Sequence, residues 1–323
     1  MSRTKAFWAI YISVGVSYLG VGLVAPLISI VLSERGADTF VVGLVGTTMF
    51  AAFTVASYPT GKATDRIGPK PILIAGLVVY GVSILLFAFI QDIVLFFVVR
   101  AIEGIGAAAI SVATETMISQ LSAPRERARR MSYYALSVGM GWAAGPILGT
   151  VMFNLRPGAP FEAGFVFSLL AALLAALFIP RTAPEELHKE ESYGGISSLI
   201  VVPLSAGALY GYLMSSLVTL IPIYLKSIGI EEREMGLIIT SVILGTLASQ
   251  VPLGWAADRF GKRRTLLVCS LALSAVFGVM PFYTDWRVFI LTGALVGATA
   301  GSLYPIGLSI IGAIVSKDRL GAA

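Results

Sequence analysis

The chain has 323 residues, 57% hydrophobic and 13% charged, with a formal net charge of +5. Soluble domains carry about a quarter charged residues, so this chain has too little polar side-chain surface for a water-facing exterior, and lipid must be the solvent for most of it. The lone Cys269 and lone His188 exclude a disulfide framework, a Cys/His metal centre and a Cys-His catalytic pair; neither a metal nor a cofactor is expected.

Ten apolar stretches follow one another along the chain, at 6–32, 41–58, 71–90, 93–118, 131–153, 165–179, 199–225, 235–257, 265–283 and 288–315. A crossing of the hydrocarbon core needs about 20 such residues. The ten-residue alternation of a membrane barrel is missing, so the backbone must satisfy itself inside helices and the fold class is an all-α membrane protein. The first stretch is followed by Ser33, Glu34 and Arg35 instead of a small-residue cleavage site, which marks it as a retained span. Trp8, Tyr283 and Trp286 fall near span ends and read as interfacial anchors. The segment 185–191, with four glutamates around His188, reads as a solvated linker.

Basic residues set the orientation. With the amino terminus in the cytoplasm, 17 of the 23 Lys and Arg residues fall on the inner side, five (Arg35, Arg156, Lys226, Arg233 and Arg287) on the outer side, and Arg100 alone within a span. That asymmetry is the positive-inside pattern, so the net charge reports topology and no nucleic-acid partner is expected.

The run Pro59, Gly61, Asp65, Arg66, Gly68 reappears 193 residues later as Pro252, Gly254, Asp258, Arg259, Gly261. The same displacement relates Gly43 to Gly236, Asp92 to Asp285 and Gly104 to Gly297. Such parallel repeats are a transporter architecture. The expected organisation is a six-helix bundle over 1–180, a cytoplasmic linker over 181–198 and a second bundle over 199–323. The fifth span begins at Met131, whose counterpart would be position 324. The repeat therefore predicts ten of an expected twelve helices, with the last two lying downstream; a natural ten-helix protein is the alternative.

Several residues stand out chemically. Arg100 and Glu103 lie three apart on one helical face, as a charge pair requires. Each costs about 2.5–3.5 kcal/mol at mid-membrane on insertion scales, so both must face the protein interior. Burial there opposes the charge on Glu103 while Arg100 favours it, which makes Glu103 the candidate proton carrier; a permanent structural ion pair is the competing reading. Gly141, Gly145 and Gly149, four apart, make a flat face for close helix contact, and Pro146 favours a bend; packing and gating are both consistent with this. Tyr18, Tyr212, Ser215, Ser216 and Tyr304 lie near span centres and are cavity-lining candidates, Tyr304 following Ser302, with Gln250 nearer the cytoplasm. In the repeated loop, Gly61 and Gly68 allow a tight turn, and Asp65 can meet an arginine or a helix amino end, as a conformational latch would; a solvated topological anchor is the bland alternative.

Four segments together resemble the major facilitator superfamily over the whole chain. The loop from Gly61 through Asp65, Arg66 and Gly68 is similar to its signature loop, with Pro69 where a basic residue is usual and Lys70 next to it. The second copy, through Gly254, Asp258, Arg259 and Gly261, keeps Lys262. The run from Arg100 to Gly106 resembles the family's intramembrane arginine motif, where glutamine often stands in place of Glu103. The run from Gly141 to Thr150 resembles a motif associated with proton-coupled antiporters, Thr150 replacing a common glycine. The resemblance implies that Glu115, near the inner end of the fourth helix, neighbours the latch.

The expected function is secondary active transport by alternating access: proton-coupled export of a small organic solute or drug, by a multi-pass protein of the plasma membrane that is monomeric when full length. Its partners are the solute, protons and the lipid bilayer. A sugar or metabolite symporter or uniporter, and a non-transporting receptor or scaffold, are the alternatives. No His-Glu-x-x-His or Gly-Lys-Ser/Thr loop supports an enzyme.

Overall fold

A computed structural model describes residues 3–122, 126–180, 211–213, 215–217, 219–301, 303 and 306. Every regular element among them is a helix: α1 (Arg3–Glu34), α2 (Thr39–Ile67), α3 (Pro69–Leu86), α4 (Ile93–Leu121), α5 (Arg127–Leu155), α6 (Ala159–Phe178), α7 (Ile221–Ser227), α8 (Glu232–Phe260), α9 (Lys262–Val279), a 3-10 turn (Met280–Phe282) and α10 (Trp286–Ala300). Seven of the described helices are long and apolar enough to cross a membrane, namely α1 to α6 and α9 with its 3-10 extension. The sixth begins six residues before the apolar stretch that announced it, because Pro160 is preorganised for a first turn and Glu162 suits a positive helix amino end. The seventh stretch is described only in part, and the linker at 181–198 lies outside the described residues.

The described residues form two compact units, one holding α1 to α7 and the start of α8 as far as Gly236, the other residues 228–230 and α8 from Leu237 onward with α9 and α10. In the first unit α1 packs most extensively on α5 and α6, α4 on α2 and α3, and α3 on α6. Small residues set these contacts. Gly20 of α1 lies against Gly164 of α6, Gly76 of α3 against Gly106 of α4, and Gly104 of α4 against the α2 backbone at Met49 and Phe53. Without a hydrophobic force between helices in lipid, such close backbone approach is what makes dispersion contacts dense enough to hold a bundle.

The sequence repeat is a structural one, to the residue. Thr39–Ile67 of α2 becomes Glu232–Phe260 of α8, Pro69–Leu86 of α3 becomes Lys262–Val279 of α9, and the first residue of α4 becomes the first of α10, each displaced by 193 positions. The cause is shared local chemistry. Asp92 accepts from the Val94 amide at 2.8 Å and Asp285 from the Arg287 amide at 2.9 Å, so both helices start on an aspartate cap. Gly68 at φ 90° and Gly261 at φ 98° hold left-handed turns that a side chain would strain, and they separate α2 from α3 and α8 from α9. The interior contacts repeat as well: Gly297 faces Val242 and Thr246 within the second unit as Gly104 faces Met49 and Phe53 within the first.

Lys70, beside the glycine turn, donates from Nζ to the carbonyls of Ala176 at 2.7 Å and Ile179 at 2.6 Å. It caps the carboxyl end of α6, where four carbonyls lack helical partners and the dipole is negative. Lys70→Met keeps the aliphatic stem and removes the ammonium. Its expected cost is about 1.5–3 kcal/mol, the range for hydrogen bonds to a charged group, read as a lower melting temperature in detergent with Lys70→Arg closer to wild type. Arg35, just beyond α1, donates to the Ile90 carbonyl and lies 5.2 Å from the centre of the Phe96 ring. Partial burial pushes its guanidinium below the ordinary arginine range, with Glu34 opposing the shift.

Candidate functional site

Arg100 and Glu103 sit on α4 within the core of the first unit, 4% and 2% exposed. One guanidinium nitrogen of Arg100 meets a Glu103 carboxylate oxygen at 2.8 Å. The same nitrogen approaches the Met49 sulfur at 3.5 Å, and the guanidinium carbon lies 5.6 Å from the Phe87 ring centre. The Tyr80 hydroxyl of α3 donates to Glu103. Taking two charges out of water is costly unless their geometry is good and their remaining valences are met; here the pair, the phenol and a polarisable ring and thioether supply most of that.

The pair opens on a cavity of about 230 Å³, lined by Ser17, Tyr18 and Val21 of α1, Met49, Phe50 and Phe53 of α2, Tyr80, several residues of α4 down to Ser111, Trp142 of α5, and Thr219. Its walls are apolar and aromatic apart from a few oxygens and the ion pair. The polar positions on α4 form one stripe: Arg100, Glu103, Ser111 and Glu115 are spaced by three, eight and four residues, which keeps them on one side of the helix. Toward the carboxyl end of the stripe Tyr18, Ser111 and Tyr134 share side-chain hydrogen bonds, with Glu115 electrostatically close to both tyrosines.

The structure thus brings together Arg100, Glu103 and Tyr18 among the residues singled out from sequence. Glu115 joins Tyr18 and Tyr134; among the described residues no ion pair links it to Asp65 or Arg66. Gly61 and Asp65 are half-buried and Arg66 exposed at the carboxyl end of α2, while Gly68 makes the turn. Gly254 lies within α8, Arg259 is exposed with its guanidinium carbon 5.1 Å from the Trp255 ring centre, and Gly261 makes the matching turn. The Asp258 side chain and Tyr304 lie outside the described residues. Tyr212 is 66% exposed, and Ser215 and Ser216 are partly buried; all three belong to the second unit.

Gly141, Gly145 and Gly149 face α1 at contact distance. A β-carbon on Gly141 would stand 2.7 Å from the Gly15 carbonyl oxygen and the Leu19 amide, and one on Gly145 would collide with the backbone of Gly22. Helix α5 runs unbroken through Pro146, where the Thr150 hydroxyl donates to the carbonyls of Pro146 at 2.9 Å and Ile147 at 3.1 Å. Sequence reasoning missed Ser17, Tyr80, Ser111, Tyr134, Trp142 and Thr219. Only Ser111 carried a usable signal, its place on the face of α4 that holds Glu103.

The model of the Major Facilitator Superfamily matches residues 10–225 and 203–323 of the chain. The chain belongs to this superfamily. It is a multi-pass membrane protein of the secondary-transporter class, and small-molecule solutes are what such proteins carry. Relatives by sequence include the "Uncharacterized MFS-type transporter YfkF" of Bacillus subtilis (28% identical, covering 100% of this chain and 83% of the relative). The "Tetracycline resistance protein, class G" of Vibrio anguillarum is 27% identical over 99% of this chain and 84% of its own. The "Multidrug efflux protein YfmO" of Bacillus subtilis is 25% identical over 100% and 80%. Among solved structures, a bacterial homolog of the human lysosomal transporter Spinster, inward-facing and occupied, matches with a TM-score of 0.83 at 13% identity, over 99% of this chain and 76% of that one. A D-xylose–proton symporter matches at 0.78 and 15% identity, over 98% and 85%. At these identities the solved structures speak for the fold alone.

Proposed function

We propose that this transporter exports a small lipophilic organic solute across the plasma membrane in exchange for protons, with its amino terminus in the cytoplasm and Glu103 as the proton carrier. The observation that carries the reading is a carboxylate buried at mid-helix, paired with Arg100 and lining a cavity whose other walls are mostly apolar. A proton arriving on Glu103 cancels its charge and weakens the 2.8 Å contact, so protonation and the arrangement of α4 against its neighbours are coupled. Relatives named for tetracycline resistance and multidrug efflux support the direction and the solute class. One proton moving down 100 mV releases about 2.3 kcal/mol, enough to sustain a solute ratio of roughly fifty-fold. One titrating carboxylate therefore suffices. The repeated glycine turns with Asp65 and Arg66, and with Asp258 and Arg259, are read as a latch on alternating access.

Inverted vesicles carrying the protein, with an imposed pH gradient and tetracycline or a lipophilic dye as solute, test the reading. Uptake should rise with inside-acid vesicles and collapse with a protonophore. Uptake that ignores the gradient rejects proton exchange, and loss of preloaded solute that follows the proton outward establishes symport. In the latch, Gly61→Ala meets nothing within 4 Å, and alanine favours a helix by about 1 kcal/mol over glycine. The variant should therefore melt no lower than wild type, and a fall in its transport rate would report on the latch separately from folding.

A further inference from the structure

Three hydrogen-bonding groups on residues that line the cavity have no partner among the described residues. They are Nε of Arg100, the Ser17 hydroxyl and the Thr219 hydroxyl, each on a residue exposed by 4% or less. Burying such a group without a partner is unfavourable, and two of the three have an apolar replacement of nearly the same shape. The Nε can only donate, and both hydroxyls can. Around them stand the rings of Phe50, Phe53 and Trp142. Glu103 occupies a terminal nitrogen of Arg100, so the two charged residues among the described lining cancel and leave no free anion there for a cation to meet.

We infer that this cavity binds an aromatic, lipophilic solute through a compact hydrogen-bond acceptor such as a carbonyl oxygen, and that it disfavours organic cations. The ring system of the solute fills the space among the aromatic side chains, where burial of apolar surface supplies most of the affinity. Its acceptor meets one or more of these donors, which supply the selectivity, because a site built to donate hydrogen bonds rejects an analogue that cannot accept them. Engaging Nε leaves the contact between the terminal nitrogen and Glu103 in place, so the ion pair persists in the occupied site. The inference rests on reading this cavity as the solute's site, and deepens that reading by naming the solute chemistry.

The test uses the full chain in lipid nanodiscs, with empty nanodiscs as the blank, and three probes of similar size: 2-acetylnaphthalene, 2-isopropylnaphthalene and (2-naphthylmethyl)trimethylammonium. Calorimetry or equilibrium dialysis should show the acetyl compound binding about tenfold tighter than the isopropyl one, as one or two net hydrogen bonds imply, and the ammonium no tighter than the hydrocarbon. The double variant Ser17→Ala, Thr219→Val should narrow the gap between the two neutral probes at least about twofold, with the Arg100 Nε remaining as a donor. Its melting temperature should equal or exceed that of wild type, since it removes unpaired hydroxyls and leaves Arg100 and Glu103 untouched. Equal binding of the neutral probes to wild type, a preference for the ammonium, an unchanged ratio in the double variant, or no binding at all overturns the inference. Binding is read with no pH gradient and no flux, so a failure of proton-coupled export would leave the probe preference standing, and a lost preference would leave export standing.

Discussion

Glu103→Gln abolishes proton-driven accumulation while leaving solute exchange across the membrane at equal pH. Glutamine keeps the length of the side chain and can accept from Arg100 and Tyr80; what it lacks is the ionisable charge. The full effect on gradient-driven uptake is expected, from roughly fifty-fold accumulation to none, with counterflow of labelled against unlabelled solute within severalfold of wild type. Unchanged proton coupling would remove Glu103 as the carrier. The companion variant separates chemistry from structure. Removing one member of a buried ion pair costs about 3–5 kcal/mol because the survivor is left charged or must neutralise, whereas replacing both members with apolar residues of like volume is often neutral. Arg100→Leu should therefore lower the melting temperature far more than the double change Arg100→Leu, Glu103→Leu. If the double variant is the less stable of the two, the pair is a net structural stabiliser and its retention needs no functional explanation.

Alanine at Gly145 or Gly149 will separate α1 from α5. At each position the new methyl would meet backbone of the facing helix: Gly22 and the Leu23 amide opposite Gly145, and the Leu23 carbonyl group opposite Gly149. A flexible side chain could turn aside, but two helix backbones can only move apart, and the contact they lose is among the most extensive in the first unit. Overpacking a core usually costs about 1–3 kcal/mol; collision with backbone on both sides of a helix pair should exceed that range. The expected outcome is loss of the monodisperse peak on size-exclusion chromatography, or a melting temperature lowered by ten degrees or more. Gly254→Ala, which meets nothing within 4 Å, is the control and should be tolerated. Should Gly149→Ala melt as wild type does, the glycine face is not a packing device, and the bend at Pro146 becomes the reason for the motif.

Much of the fold was legible in the amino-acid order because its causes are local. Apolar runs of span length, aspartate caps at Asp92 and Asp285, and glycine turns at Gly68 and Gly261 act over a few residues, so a copy 193 positions away reproduces helix bounds without shift. The Arg100–Glu103 pair was legible for the same reason, since spacing on one helix decides it. The repeat also showed what is unshared: the counterparts of the pair, 193 residues on, are Gly293 and Val296. The charged site therefore belongs to one half alone.

What the order of residues could not reveal was which helix faces meet. Tyr80 reaches Glu103 only because α3 packs on α4, Lys70 finds the end of α6 a hundred residues away, and Glu115 turns toward Tyr18 and Tyr134 of α1 and α5. Ser17 and Thr219, 202 positions apart, look like any hydroxyls in an apolar span until they are seen to line one cavity without partners among the described residues. Periodicity fixes the direction of a side chain about its own helix axis. The neighbour across the gap is chosen by the packing of all the helices at once, and so only the tertiary structure decided it.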